Sequence, residues 1–188
     1  IGFACFALAS LWIRYEMTYD SFHHGAERIY LVRTENKESV NGLNSVTPYP
    51  LAGYLKETFA EVEGACNMQY YQSSYKVDGV EKQLNVMCTD SAVFSVFDIR
   101  LLEGSMEFLM PKTDKIAITR RCAQQLFGQQ NPIGKEIFNV YQPNQPITIC
   151  AIVSEWPEHS NLCYDITSRS FTFNNWNVAS WQTYIRLT

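Results

Sequence analysis

The stretch Ile116–Ile137, IAITRRCAQQLFGQQNPIGKEI, decides the fold. It opens on Ile116 and Ile118 in alternation, the period of a half-buried strand. Thr119 then stands at an N-cap position, and Ala123, Leu126 and Phe127 recur along one helical face until Gly128 ends the helix. Pro132 and Gly134 turn the chain into EIFNVYQ, and a Pro-containing turn leads to ITICAIV. There Ile147, Ile149, Ala151 and Val153 are expected to share a face. Strand, cap, helix and strand pair in this order imply an α+β fold on a mixed sheet.

Upstream the same signals recur. Asp78-Gly79 between YKV and VEKQLNV predicts a tight hairpin within the strand-like segment Gly64–Cys88. Before it, Pro48 and Pro50 start a helix whose Leu51, Leu55, Phe59 and Val62, with Tyr54 alongside, predict one buried face. After it, Asp90 caps a short helix carrying Val93, Phe94 and Phe97, and Gly104 and Pro111 punctuate loops beyond. Near the start, Asp20 or Ser21 caps a short helix with Phe22 and Ala26 on one face, kept short by Gly25 and followed by the strand IYLVRTEN from Ile29. At the end, Trp181, Thr183, Ile185 and Leu187 share a face of a closing strand.

With 188 residues, 46% of them hydrophobic, the chain can bury one core or two that share a boundary. Lys and Arg number 15 against 19 Asp and Glu, with no run of like charges, which disfavours a nucleic-acid partner. Cys5, Cys66, Cys88, Cys122, Cys150 and Cys163 follow no zinc or redox spacing. Cys122 and Cys150 fall on positions expected to be buried, and the cysteines are read as mostly free thiols.

The chain opens on an uncharged apolar run, Ile1–Ile13, followed by Trp12, Arg14 and Tyr15 at the place of an interfacial belt. The run is too short to span a bilayer, which needs about 20 apolar residues, and is read as the outer part of a spanning helix cut short. A buried N-terminal helix is the second reading and a signal-peptide core the third.

The tempting chemical motifs fail on spacing. Gly128–Glu136, GQQNPIGKE, imitates a phosphate loop but has five residues between its glycines and Glu136 where Ser or Thr should reach magnesium. It also follows a helix and leads into a strand, the reverse of the required order, so a turn with Lys135 in solvent is expected. His23 and His24 point about 100° apart on a helix, and only His159, Glu158 and Cys163 could join them by tertiary convergence. Capping or surface roles are expected for the histidines. Glu155 with Glu158 reads as a solvated loop. Asp20, Glu27 and Arg28 read as a local ion-pair and capping group that fixes the strand after the apolar run. Tyr70, Tyr71 and Tyr75 read as cross-strand pairs. No catalytic, cofactor-binding or metal-binding residue is nominated.

Four stretches together, YEMTYDSFHHGAERIY, VFSVFDIRLLEGS, IAITRRCAQQLFGQQNPIGKEI and ITICAIVSEWPEHSNLCYDI followed by WQTYIRL, resemble the periplasmic core domain of MacB-like and FtsX-like ABC-transporter permeases, especially their Bacteroidetes branch. LFG-x-x-NPIGK is the most specific part. The resemblance implies that residues 1–19 are the end of the first transmembrane helix and a stalk, and that 20–188 form the core domain. Within it, 20–90 and 153–188 would make a βαβ-like porter subdomain, and 91–152 an inserted smaller α+β sabre-like one. It implies a non-catalytic module on the periplasmic side of the bacterial inner membrane, without cofactor, in a permease that dimerises. The implied partners are a separate cytoplasmic ATPase, reached through membrane segments, and a periplasmic adaptor or lipoprotein. A membrane-anchored ligand-binding sensor is the alternative, and it requires a closed pocket.

Overall fold

Asp78 and Gly79 both adopt positive φ, 47° and 82°, as a two-residue hairpin turn with the right twist demands. The computed structural model describes residues 2–17, 23–35, 42–156, 160 and 162–188. Its helices are α1 (Gly2–Met17), α2 (Pro50–Thr58), α3 (Val93–Val96) and α4 (Arg120–Phe127). The strands are β1 (Ile29–Leu31), β2 (Thr34–Glu35), β3 (Leu43–Asn44), β4 (Thr47–Pro48), β5 (Val62–Val77), β6 (Val80–Thr89), β7 (Leu101–Gly104), β8 (Lys115–Thr119), β9 (Glu136–Asn139), β10 (Pro146–Val153), β11 (Ile166–Arg169) and β12 (Ala179–Leu187).

The main sheet runs β1-β12-β5-β6-β11-β8-β10-β7, with β4 on β12 and β9 bridging β10 and β5. Parallel pairs β6·β11 and β8·β10 stand among antiparallel ones, so the sheet is mixed and the α+β expectation holds. The far end of the long β5–β6 hairpin curls back until Tyr75 and Lys76 pair with Asn139 and Phe138 of β9. The pairings β5·β6·β11·β8·β10·β9·β5 therefore close a ring, which removes the two edges an open six-stranded sheet would expose.

The alternation of side chains gives this sheet two cores. Val86 and Met87 point to opposite faces. Val86 joins Tyr75, Val77, Leu84, Ile116, Ile118, Ile137, Ile149 and Ile166 inside the ring, where Cys122, Ala123 and Phe127 of α4 pack. Met87 joins Cys66, Met68, Val93, Val96, Phe97, Phe108 and Ala117 on the other face. Thr119 caps α4 as expected, its side chain accepting the Cys122 N–H at 3.1 Å. Asp90 caps the approach to α3, accepting from the N–H groups of Ala92 and Asn67, both at 2.9 Å.

Three expectations are corrected. Ile147, Ile149, Ala151 and Val153 do not share one face. The β10 register on β8 slips between Ile149 and Ala151, and this bulge at Cys150 sends Ile149 and Ile152 into the ring and Ala151 and Val153 to the opposite core. Gly104 of β7 makes the bulge possible, since a Cβ there would sit 2.1 Å from the Cys150 carbonyl oxygen. Secondly, α2 stops at Thr58, leaving Phe59 47% exposed. Ala52, packed on Val62 and Ala65 with Ile185 and Leu187 at the rim, carries its contact. Thirdly, IYLVRTEN is interrupted: β1 ends at Leu31 and Thr34–Glu35 pairs instead with Leu43–Asn44.

The second reading of the N-terminus is also overturned. α1 buries none of its residues. Phe3, Phe6, Leu8, Leu11, Trp12 and Ile13 are exposed. No helix among the described residues is long and apolar enough to cross a membrane by itself.

Candidate functional site

Beyond α1, the chain is fastened to the body by His23. The imidazole is 5% exposed and stands edge-on to Phe97 and to Trp156, with both centroid distances 5.0 Å. Its Nδ1 accepts the Asp98 N–H at 3.3 Å. Phe97 in turn packs on Trp156 at 5.2 Å and Tyr184 at 5.1 Å, and Trp156 on Tyr164 at 5.3 Å. Five rings thus join the segment after α1 to the end of α3, to β12, and to the chain on both sides of residues 157–159. Burial raises the Tyr164 phenol, whose O–H donates to the Ser154 carbonyl at 2.7 Å. It therefore stays neutral and acts as a strut.

Polar ties surround the rings. His24 donates its N–H to the Asp98 carboxylate and accepts at its carbonyl from Arg186 Nη2 at 2.8 Å. Gly25, at φ 70°, opens a single 3-10 turn over Ala26–Arg28. A side chain at Gly25 would crowd the Arg28 guanidinium at 3.1 Å. Arg28 Nη1 reaches Glu63 at 3.4 Å and the Leu187 carbonyl at 3.3 Å. The Arg28–Glu63 pair is half exposed and worth about 0–1 kcal/mol, whereas each edge-on ring pair adds about 0.5–1.5 kcal/mol beyond its buried area. The rings, more than the ion pair, hold this anchor.

The sequence placed Arg28 in a local ion-pair group with Asp20 and Glu27; among the described residues its ion-pair partner is instead Glu63, 35 positions on, and it also binds the Leu187 carbonyl. The sequence missed His23, expected at a cap or surface. The signal was weak, because the aromatic partners lie 74 to 161 positions downstream, at Phe97, Trp156, Tyr164 and Tyr184. Asp20, Ser21, Phe22, Glu158 and His159 lie outside the described residues. Among the described residues no group of three or more His, Cys, Asp or Glu could hold a metal ion.

The other motifs resolve as structure. In Gly128–Glu136 the amides are used locally: Gly134 donates to the Ile149 carbonyl, Lys135 to Pro132, and Ile133 to the Asn131 side chain. A phosphate loop needs those N–H groups free to converge. Lys135 is not in open solvent as expected, because its ammonium lies over the Phe127 ring at 4.6 Å. Tyr70, Tyr71 and Tyr75 pair across the hairpin with Met87, Val86 and Lys82. Tyr75 is buried in the ring while Tyr71 is 44% exposed, so they form no common patch. All six cysteines are free thiols, with Cys66, Cys122 and Cys150 buried.

Beside the anchor lies a cleft of about 470 Å³ walled by Ala26, Ile29, Leu31 and Leu162 with Arg33 and Gln182. A second, of about 760 Å³, lies by the hairpin turn near Asp78, Glu81 and Phe138. Both open to solvent on one side.

A sequence model of the MacB-like periplasmic core domain matches residues 1–187. The chain belongs to that family. It is the periplasmic core domain of a MacB-like ABC-transporter permease, a class of membrane protein that works with a cytoplasmic ATPase. Among solved structures, it is similar to a domain of a permease protein from Porphyromonas gingivalis, with a TM-score of 0.77 and 19% identity over 88% of this chain and 77% of that one. The extracellular domain of the noncanonic ABC-type transporter YknZ from Gram-positive bacteria gives a TM-score of 0.61 at 14% identity, over 85% and 82% of the two chains. The periplasmic region of MacB from Actinobacillus actinomycetemcomitans gives 0.60 at 11% identity, over 85% and 74%. These likenesses show the fold of the MacB-like domain. No curated protein matches the chain in sequence.

Proposed function

We propose that this MacB-like domain transmits motion: α1 is the outer end of a membrane-spanning helix, and the ring-locked anchor conveys its displacement to a rigid body that pushes or gates a substrate without performing a reaction. The carrying observation is that α1 has no charged residue from Gly2 to Ile13, buries nothing, and is followed closely by a segment pinned at His23. The twelve uncharged residues Gly2–Ile13 rise about 18 Å against a hydrocarbon core of about 30 Å. Such a segment accounts for rather more than half of one crossing, and an apolar helix without a packed face belongs in lipid. The bacterial inner membrane is the proposed location.

The same proposal covers the subdivision. Residues 20–90 and 153–188 form the porter-like part and 91–152 the sabre-like part. In support, β1, β12, β5, β6 and β11 are successive neighbours in the sheet, as are β8, β10 and β7, while β9 joins the two groups by pairing with β10 and β5. His23, Phe97 and Trp156 come from the first, middle and last of these stretches, so a pull on the anchor is felt at their junction. A permease dimer, with an adaptor or lipoprotein outside the membrane, completes the proposed machine.

The test inserts Gly-Gly-Ser-Gly after Arg14 in the complete permease together with its ATPase. Transport should be abolished while the domain stays folded and ATP hydrolysis continues. Transport at the wild-type rate would reject the mechanical reading.

A further inference from the structure

From Ser170 to Ile185 the chain carries no charged residue, and its exposed part reads FTFNNWNVAS from Phe171 to Ser180. On this segment Phe171 is 90% exposed, Trp176 51% and Phe173 41%. Phe173 and Trp176 are held in place. Phe173 stacks on Trp181 at 5.9 Å, Trp181 meets Tyr49 edge-on at 5.3 Å, and Trp176 meets the half-exposed Tyr54 of α2 at 5.9 Å. Trp181 is fixed from beneath by its Nε1–H, which donates to Ser170 Oγ at 3.0 Å. Asn175 Oδ1 accepts the Asn177 N–H at 2.9 Å, which sets the turn that raises Trp176. Asn174, Asn177, Thr172 and Ser180 are exposed beside the rings.

We propose that this aromatic and amide surface of loop 171–180 and α2 is a platform for saccharide chains. A pyranose presents one face of C–H bonds and a rim of hydroxyl or acetamido groups. Its complement is an exposed aromatic face flanked by uncharged donors and acceptors. The patch has four such rings, Tyr54, Phe171, Phe173 and Trp176, amides and hydroxyls between them, and Val178 as its one large aliphatic residue on the loop. A bilayer-seeking surface would carry Lys or Arg beside aliphatic groups, whereas the loop has no Lys or Arg and Lys56 of α2 stands two residues from Tyr54, about 200° round the helix. The centre of a protein interface shares the aromatic enrichment but adds Arg and Met, neither of which occurs in loop 171–180 or in α2. The location fits an envelope polymer more than a lipid. β12 runs from Ala179, beside the patch, to Leu187, whose carbonyl binds Arg28 of the anchor. Eight residue steps of about 3.3 Å separate the platform from the anchor by about 26 Å.

The test titrates the 188-residue chain, held in a detergent without a sugar headgroup, with the N-acetylglucosamine tetramer and with maltotetraose, following tryptophan fluorescence and calorimetric heat. Saturable binding to at least one sugar is expected, weakened about tenfold by Trp176→Ala and severalfold by Phe171→Ala, and largely retained in Trp176→Phe. Phe171 is too exposed for its removal to unfold the chain, so loss of binding in that variant reports on the surface. Absence of saturation with both sugars overturns the proposal, as does binding indifferent to Trp176→Ala and Phe171→Ala. So does a chain that binds no sugar and whose self-association is lost in Trp176→Ala. The result is independent of the stalk, so motion transmission can fail with the platform intact.

Discussion

Replacing His23 with Ala removes two edge-on ring contacts and the acceptor of the Asp98 N–H. At about 0.5–1.5 kcal/mol for each ring pair and about 1 kcal/mol for the hydrogen bond, the loss sums to about 2–4 kcal/mol. The loss should be local, because the ring strands are closed without the anchor. Hydrogen exchange reads it directly. The Ala26 N–H donates to the His23 carbonyl at 3.0 Å and the Arg28 N–H to Gly25 at 2.9 Å. Their protection should fall by a factor of roughly thirty to several hundred if the anchor opens by itself. Amides of β8 and β10 should change far less. His23→Phe keeps the ring contacts and should lose only about 1 kcal/mol, while Arg28→Ala, which breaks a half-exposed pair, should lose about 1 kcal/mol or less. If Arg28→Ala loosened these amides more than His23→Ala, the assignment of the anchor to the rings would be wrong.

Gly104→Ala should be among the most damaging single substitutions. Its Cβ would stand 2.1 Å from the Cys150 oxygen at a φ of 88°, so a loss of about 3 kcal/mol or more in urea unfolding is expected, and a loss under 1 kcal/mol would contradict the bulge. Asp90 is partly buried, and the loss of solvent raises its carboxyl above the ordinary 3.8 despite two backbone donors. The folded state therefore binds this proton more tightly than the unfolded state. The associated stabilisation is full below the ordinary value and is lost as pH rises through the raised one. Asp90→Asn should remove that trend, seen as a wild-type minus variant difference in urea midpoint that declines as pH rises from below the ordinary carboxyl value of 3.8; a difference that rises would reverse the sign. Burial pushes the Cys122 thiol up to about 12, and Cys66 is raised as well. A maleimide should label Cys163 in the native protein within minutes and leave Cys66 and Cys122 untouched until denaturant is added; native labelling of Cys122 would place α4 wrongly.

Local chemistry wrote some of this architecture plainly. Asp78-Gly79, Thr119 and Gly128 each act within a few residues, and each marks the turn, cap or helix end expected of it, whereas Asp90 makes the turn before α3 and Ala92 stands at its N-cap. Ile116 and Ile118 show their strand because the alternation is unbroken. Long-range features were opaque. The bulge at Cys150 is dictated by Gly104, 46 positions earlier, so alternation alone assigned Ala151 and Val153 to the wrong face. β7 and β11 were not read as strands, since Leu101–Gly104 and Ile166–Arg169 are four residues each and patterned by neighbours on the sheet. The family signal in LFG-x-x-NPIGK has its own physical content. It closes α4 over the ring core and turns the chain into β9, whose pairing with β5 completes the circuit. The anchor was half legible: Arg28 announced itself by charge though its partner Glu63 did not, and His23 acquired its role only when the distant rings of Phe97 and Trp156 met it.

The central claim, that the body is moved through α1, is tested most directly by energy transfer in bilayers. The complete permease, with Cys5 and Cys88 replaced by Ser, would carry a donor on exposed Cys163, against acceptor-labelled lipid, with its ATPase alternately empty and trapped with nucleotide. The account predicts a change in transfer efficiency between the two states that disappears when a flexible Gly-Ser linker follows Arg14, although ATP is still hydrolysed. Equal transfer in both states, or a change that persists through the linker, would contradict it.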